Sequence, residues 1–208
     1  MRKRFNREYF ENLYGRSRDP WSYETSSYER NKYERTLEVL AHRRYHRALE
    51  VGCSIGMFTA MLAPLCDELL AVDISEKAIV AARERLANFA HVSVERRTLP
   101  EEMPEGPFDL VVASEILYYL PTDIMLVALR RFEEVLSPGG VLITANARPK
   151  RRRRAAEKIR PLFLRRLVLR DRPLLGEKVH EILLEHTRLS NTVSLIEPKY
   201  RLDLFENS

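Results

Sequence analysis

Apolar positions along the 208-residue chain fall into runs of two kinds that alternate. Short, nearly continuous stretches at 47–51, 69–73, 91–95, 108–113 and 140–146 predict strands, because such runs suit a sheet covered on both faces. Between them, 57–64, 75–89 and 122–136 carry apolar residues at helical spacing, as does 27–41 ahead of the first strand. The alternation predicts an α/β fold with a doubly wound sheet, and the almost wholly apolar Phe108-to-Ala113 run belongs at its centre. Ser75 before Glu76 is a helix cap, and Ser137-Pro138-Gly139-Gly140 reads as a stop followed by a tight turn. Farther on, 176–186 predicts a helix and 188–196 a strand. An antiparallel partner at 200–205 follows across Glu197-Pro198-Lys199. The polar, tyrosine-rich first residues predict no element.

Chemistry concentrates in the turn after the first strand, Leu49-Glu50-Val51-Gly52-Cys53-Ser54-Ile55-Gly56, with Asp73 closing the second strand. Gly52 lets the chain turn with no β-carbon in the way, and Gly56 permits close approach as a helix begins at Met57. A carboxylate at the tip of the second strand can accept two hydrogen bonds from the vicinal hydroxyls of a ribose. A dinucleotide fingerprint would read G-x-G-x-x-G, whereas Ser54 occupies the place of the glycine that admits a pyrophosphate. Glu50 would repel phosphates yet suits an ammonium or sulfonium centre. The combination points to S-adenosylmethionine. An isolated Gly-x-x-x-Gly is also found in ordinary strand-to-helix turns, and the two bracketing acids favour the nucleoside.

Residues 45–146 resemble a class I S-adenosylmethionine-dependent methyltransferase. The glycine turn carries the resemblance together with Val72-Asp73, Phe108-Asp109-Leu110-Val111-Val112 and Leu136-Ser137-Pro138-Gly139-Gly140. Asp19-Pro20-Trp21, Phe58-Thr59 and Ala113-Ser114-Glu115-Ile116-Leu117-Tyr118-Tyr119-Leu120 are similar to the nodulation protein S family, which N-methylates the glucosamine end of a chitooligosaccharide signal. The resemblance implies a Rossmann-like seven-stranded sheet, mostly parallel with an antiparallel C-terminal strand and helices on both faces. It implies S-adenosylmethionine as methyl donor and S-adenosylhomocysteine as product. The acceptor it implies is a small molecule or saccharide, with an amine favoured over a hydroxyl. It also suggests one domain, with a lid and helix at 1–44, a cofactor-binding core at 45–146, a basic insertion at 147–175 and a terminal helix and hairpin at 176–208.

Composition fits one compact core, at 45% apolar residues. Two cysteines, Cys53 and Cys66, offer no framework of bridges and suggest a reducing, cytoplasmic setting. The basic Met1-Arg2-Lys3-Arg4 start lacks the apolar run of a secretion signal, and no stretch is long enough to span a bilayer. The net charge of +5 is local in origin. Residues 148–172 hold twelve Lys or Arg against Glu157 and Asp171, a balance of +10 that leaves the remainder at −5. That segment suits an anionic membrane surface, the phosphates of RNA or of a nucleotide-linked sugar, or simply solvent. Against RNA bases, Ser114-Glu115-Ile116-Leu117 stands where a base-nitrogen methylase would carry Asn-Pro-Pro-Tyr. A noncatalytic cofactor-binding partner protein is a third reading.

Candidate cofactor contacts are Trp21, Glu50, Gly52, Cys53, Ser54, Gly56, Phe58, Thr59, Asp73, Ile74, Thr98, Leu99 and Glu115. Trp21 would either close over the cofactor as a lid or pack the terminal arm onto the core. Thr98 departs from relatives that place an acid there to accept from the adenine amino group, and accepts one weaker bond. Glu115, just past the fourth strand, is the leading candidate for contact with the acceptor, with a structural or cofactor-holding carboxylate as the alternative. Tyr118 and Tyr119 could line the acceptor pocket, although one of the pair is more often core. His180 is a second candidate proton acceptor, with a surface helix position the commoner case. Lys32 and Arg30 could reach the methionine carboxylate, with a solvated helix face favoured. The other histidines lack metal-site spacing, and no metal is expected.

Overall fold

The computed structural model describes residues 5–148 and 176–208. Apart from Arg148, the basic segment expected at 148–172 lies outside the described residues. The elements run α1 Arg7–Arg16, α2 Ser27–Leu40, β1 Tyr45–Val51, α3 Met57–Leu62, β2 Cys66–Asp73, α4 Glu76–Leu86, β3 Val92–Arg96, β4 Phe108–Ser114, α5 Thr122–Val135 and β5 Leu136–Ala147. After the undescribed stretch come α6 Gly176–His186, β6 Ser190–Ile196 and β7 Tyr200–Glu206. One seven-stranded sheet in the order β3-β2-β1-β4-β5-β7-β6 joins the strands. β1 to β5 pair in parallel, and β7 runs antiparallel to both β5 and β6. This is the doubly wound sheet that the strand and helix alternation predicted, in the Rossmann-like, mostly parallel seven-stranded form that the family resemblance implied.

Burial explains why the central strands read as continuous apolar runs. On β4, Val111 and Ala113 pack into the cluster built with Met125, Leu129 and Phe132 of α5 and Val179 and Leu183 of α6. The intervening Leu110 and Val112 face the opposite layer, with Leu40 of α2 and Phe58 and Leu62 of α3. Both faces are covered, so no polar alternation survives. Asp109 pins the start of the adjacent pair, its carboxylate accepting from the backbone N–H groups of His46 (2.7 Å) and Arg47 (2.9 Å) at the start of β1.

Element ends differ from the sequence reading in informative places. α1 was not expected at all. Asn6 caps it by accepting from the N–H of Tyr9 at 3.0 Å, and it docks by two contacts to α4. Glu11 accepts from the Glu76 N–H at 2.6 Å, and Lys77 donates to the Glu11 carbonyl at 3.2 Å. β2 begins at Cys66, and β5 begins at Leu136 rather than 140. The Ser137-Pro138-Gly139-Gly140 stretch is therefore an irregular start to β5 and no free turn. Its backbone is bonded to the far end of the chain, through Gly139 N–H to the Asn207 carbonyl (2.6 Å) and Asn207 N–H to the Gly140 carbonyl (2.9 Å).

Candidate functional site

In an open parallel sheet, ligands bind outside the carboxyl ends of the strands where the order reverses, which here lies between β1 and β4. The glycine turn sits at that point. Gly52 adopts φ +76°, and its N–H and that of Cys53 both donate to the Val72 carbonyl, at 2.7 and 3.0 Å. A β-carbon on Gly52 would stand 2.2 Å from Ile116 Cγ2, beside the tip of β4. Gly52→Ala should therefore cost about 2–4 kcal/mol, combining left-handed backbone strain with overpacking. Gly139 has φ +69° and open space around it, so Gly139→Ala should cost only about 1 kcal/mol. Urea denaturation of the two variants checks this difference, and equal losses would refute the close approach.

Two adjoining lobes open beside this turn, of about 780 and 350 Å³, each within the usual size for a small-molecule site. One lobe is bounded by Val51, Gly52, Ser54, Asp73, Ile74 and Leu99, with Ser114, Glu115 and Tyr119 opposite and Phe5, Phe10, Tyr14, Trp21 and Tyr23 above. The other lobe runs beneath α2, between Glu29, Lys32 and Tyr33 on one side and Glu50, Cys53 and Phe58 on the other. Gly52, Ser54, Ser114, Tyr23 and Glu115 are common to both. α1 lies over the glycine turn through the Tyr14 hydroxyl, 2.5 Å from Ser54 Oγ. Trp21 packs edge-on against Tyr14 and stacks on Tyr23, with both centroid distances 5.6 Å.

Asp73 is the best-organised acid of the site. Its Oδ2 accepts from the Ser54 N–H at 3.0 Å and its Oδ1 from the Ser75 N–H at 2.9 Å, which leaves further lone pairs on both oxygens toward the cleft. Burial nonetheless pushes its carboxyl up to about 6, with the backbone hydrogen bonds opposing. Glu50, 4% exposed, is pushed by burial to about 7; the neighbouring Thr59 hydroxyl opposes this, and the charge of Asp73 adds to it. Glu50 Oε2 and Thr59 Oγ1 have no hydrogen-bond partner. An orphaned, buried carboxylate oxygen beside an open lobe is an acceptor suited to a cationic group such as an ammonium or sulfonium. Burial also raises the Cys53 thiol and the Tyr14 phenol well above their ordinary values, so both stay neutral.

Glu115 closes the far side. It has φ +57°, a conformation that costs a non-glycine residue energy and clusters at functional positions. Its N–H donates to the Ala145 carbonyl at 2.7 Å, its Oε2 accepts from the Ala147 N–H at 3.1 Å, and its Oε1 accepts from Lys32 Nζ at 2.8 Å.

Of the residues singled out in the sequence, Trp21, Gly52, Ser54, Asp73, Ile74, Leu99, Glu115 and Tyr119 border the first lobe, and Glu50, Cys53 and Phe58 the second. Five others border neither. Gly56 is glycine for helix packing, since a β-carbon would meet Ala82 Cα at 3.3 Å and Leu86 Cδ1 at 3.1 Å. Thr59 is fully buried behind Glu50. Thr98 faces outward, its N–H donating to Glu102 Oε2 at 2.6 Å and its hydroxyl accepting from Arg96 at 3.4 Å. Tyr118 packs against the core cluster under α5 and α6, its hydroxyl kept protonated by burial and by the charge of Glu115. His180 on α6 lies with Nδ1 3.1 Å from Asp203 Oδ1 and its ring against Phe205, away from the cleft.

Lys32 reverses its expectation, being 1% exposed and facing the second lobe, whereas Arg30 is exposed. The residues that sequence reasoning missed include Phe5 ahead of α1, Phe10 and Tyr14 on it, Tyr23 ahead of α2, Glu29 and Tyr33 on it, and Arg97 after β3. An Asn cap at residue 6 with aromatic residues four apart at 10 and 14 was the available signal for α1. Among the described residues no group of three His, Cys, Asp or Glu could hold a metal ion, and no helix is long and apolar enough to cross a membrane.

Comparison with known proteins places the chain's family and fold. A curated nodulation protein S of Bradyrhizobium diazoefficiens is 39% identical over 134 residues, covering 62% of this chain and 63% of that protein. A ubiquinone biosynthesis O-methyltransferase of the same species is 30% identical over 116 residues, covering 55% of this chain and 45% of that one. The matches thus span less than two thirds of these curated relatives. The crystal structure of the N-methyltransferase NodS from Bradyrhizobium japonicum, in complex with S-adenosyl-L-homocysteine, superposes with a TM-score of 0.77 at 27% identity. It covers 95% of this chain and 97% of that one. The family model for nodulation protein S matches residues 9–167, a span that begins in α1 and takes in both acid-tipped strands and the glycine turn between them. By that match the chain belongs to the nodulation protein S family.

Proposed function

We propose that this chain is an S-adenosylmethionine-dependent methyltransferase that methylates an amine on a small molecule or saccharide. The observation that carries the reading is the pair of buried carboxylates, Glu50 and Asp73, at the tips of β1 and β2 on either side of the glycine turn. The bound S-adenosyl-L-homocysteine of the NodS structure, a fold-level match across nearly the whole chain, supports the choice of donor. Its description as an N-methyltransferase supports an amine over a hydroxyl.

When bound, S-adenosylmethionine supplies an already activated methyl group, so the chain has mainly to bind, orient and exclude water. Asp73, held by two backbone N–H groups, offers its remaining lone pairs to the ribose hydroxyls. Ile74 and Leu99 provide apolar walls for the adenine, and Glu50 offers its unpartnered oxygen to the amino or sulfonium end. Trp21, Tyr14 and Phe10 cover the lobe and keep solvent out. Glu115, shared by both lobes, faces the acceptor.

A labelled-methyl screen of aminosugars, nucleotide sugars and simple hydroxyl analogues tests the reading. Label should enter aminosugars, and Glu115→Ala should lower kcat/KM by about 10²-fold or more, the scale of one charged contact with the reacting group. Label entering only hydroxyl acceptors would contradict the amine assignment. Turnover unchanged in Glu115→Ala would remove that residue from the acceptor site.

A further inference from the structure

Arg97 follows β3 and is the one cation among the described residues that border the first lobe, in company with Asp73, Ile74 and Leu99. Its backbone N–H donates to the Asp73 carbonyl at 2.9 Å, which ties the residue to the tip of β2. Its guanidinium is held by groups that do not border the lobe. Nε and Nη2 each lie 2.7 Å from Glu95 Oε2, and Nη1 donates to the Glu102 carbonyl at 3.3 Å. Those bonds use one N–H on each nitrogen. One more remains on each of Nη1 and Nη2, a two-pronged donor that no described group receives. Acceptors are scarce at this corner. The carboxylates bordering the lobe are Asp73, which holds the Ser54 and Ser75 N–H groups, and Glu115, whose oxygens take Lys32 Nζ and the Ala147 N–H. Thr98 is turned away, with its N–H on Glu102 and its hydroxyl on Arg96.

From this geometry we infer that Arg97 sets the base specificity of the nucleoside site, which takes a 6-oxopurine at least as readily as a 6-aminopurine. The inference rests on the proposed binding of an adenosyl donor, with its base between Ile74 and Leu99, and deepens it. The 6-amino group of adenine is a donor and needs an acceptor. A guanidinium offers none, so it reaches adenine only through a ring nitrogen such as N7. A 6-oxopurine places a carbonyl oxygen beside N7, two acceptors on one edge, and a guanidinium fork meets that pair bidentately, as it does when it reads guanine. Against the same fork, the amino group of adenine sets donor against donor. That arrangement leaves polar N–H groups unpaired where the aromatic cover of Phe5, Phe10 and Tyr119 excludes water. S-inosylhomocysteine, the deaminated form of the product, therefore competes with the donor for this site. Arg97 acts on which base is held and touches no reacting atom.

Calorimetry on the full chain with S-adenosylhomocysteine and S-inosylhomocysteine tests this, and the ratio of the two affinities is the readout, because a merely structural role for Arg97 would lower both together. The wild type should bind the inosyl ligand at least as tightly as the adenosyl one. Arg97→Met, which keeps the length of the stem and removes the fork, should weaken the inosyl ligand by about 10-fold or more and the adenosyl ligand by less, so that the ratio turns toward adenosyl. Arg97→Lys keeps the charge without the fork and should also lose inosyl affinity relative to the wild type. A wild type that prefers the adenosyl ligand overturns the inference, since an acceptor must then read the 6-amino group. An unchanged ratio in Arg97→Met overturns it as well. The wild-type comparison needs no substitution and decides the matter even if a variant fails to fold. Failure of the inference alone leaves S-adenosylhomocysteine bound, whereas binding of neither ligand defeats the proposed function and the inference with it.

Discussion

Asp73→Ala should weaken binding of S-adenosylhomocysteine by about 100-fold or more. Two hydrogen bonds to a charged acceptor contribute about 1.5–3 kcal/mol each, and every 1.4 kcal/mol is roughly tenfold in affinity. The effect has a second source inside the protein. Asp73 fastens the Ser54 N–H of the glycine turn and the Ser75 N–H at the cap of α4, so its removal loosens both walls of the first lobe. Asp73→Asn separates the two. The amide keeps one carbonyl acceptor for a backbone N–H but turns an N–H pair toward the other donor, so it should retain more of the fold than of the affinity. Calorimetry gives the affinities and urea denaturation the stabilities. Affinity unchanged in Asp73→Ala would remove the ribose assignment.

Glu50→Gln should make the cofactor-free protein more stable at pH 8 by about 1–3 kcal/mol while weakening cofactor binding. Burial pushes Glu50 from an ordinary glutamate value to about 7 and Asp73 to about 6. A carboxyl whose folded value is raised binds its proton more tightly in the folded state than in the unfolded one. Stability therefore falls as pH rises from the unfolded value near 4.5 through the folded value near 7, and the whole cost is present above that. For Glu50 the cost is on the order of 3 kcal/mol, and the buried amide of glutamine reclaims only part of it. The carboxyls with lowered values, Asp67, Glu102 and Glu177, act in the opposite sense and at more acid pH. The raised phenols of Tyr14 and Tyr33 matter only in alkali. Among the described groups whose values are shifted, the two site acids are those that change charge between pH 5 and pH 8. Melting followed across that range should show the wild type losing stability as pH rises, with a flatter curve for Glu50→Gln. A wild-type curve that climbs from pH 5 to pH 8 would contradict the burial of both acids as charged groups. Such a cost is what a site built to receive a cation carries before the cation arrives.

Much of this was legible because it rests on local patterns. Leu110 and Val111 are buried on opposite faces of one strand, so the centre of the sheet announces itself as an uninterrupted apolar run. The acid, glycine and acid of Glu50, Gly52 and Asp73 are close in sequence and meet across neighbouring parallel strands. What stayed hidden depends on distant partners. Lys32 sits in a polar helix among charged residues and reads as solvated until Glu115, 83 positions away, is seen to receive it. α1 is polar on average, and its aromatic residues cover a cleft where a core helix would show a continuous apolar stripe. Ser137-Pro138-Gly139-Gly140 has the composition of a turn and becomes strand through its bonds to Asn207. His180 looked available because nothing local to it reveals Asp203.

The most direct measurement is a crystal of this protein soaked in S-adenosylhomocysteine. The account predicts the ribose hydroxyls within hydrogen-bond distance of the Asp73 carboxylate, the adenine between Ile74 and Leu99, and the homocysteine amine toward Glu50 beside the Gly52 turn. Density for the ligand elsewhere, or none between the tips of β1 and β4 at saturating concentration, would contradict it.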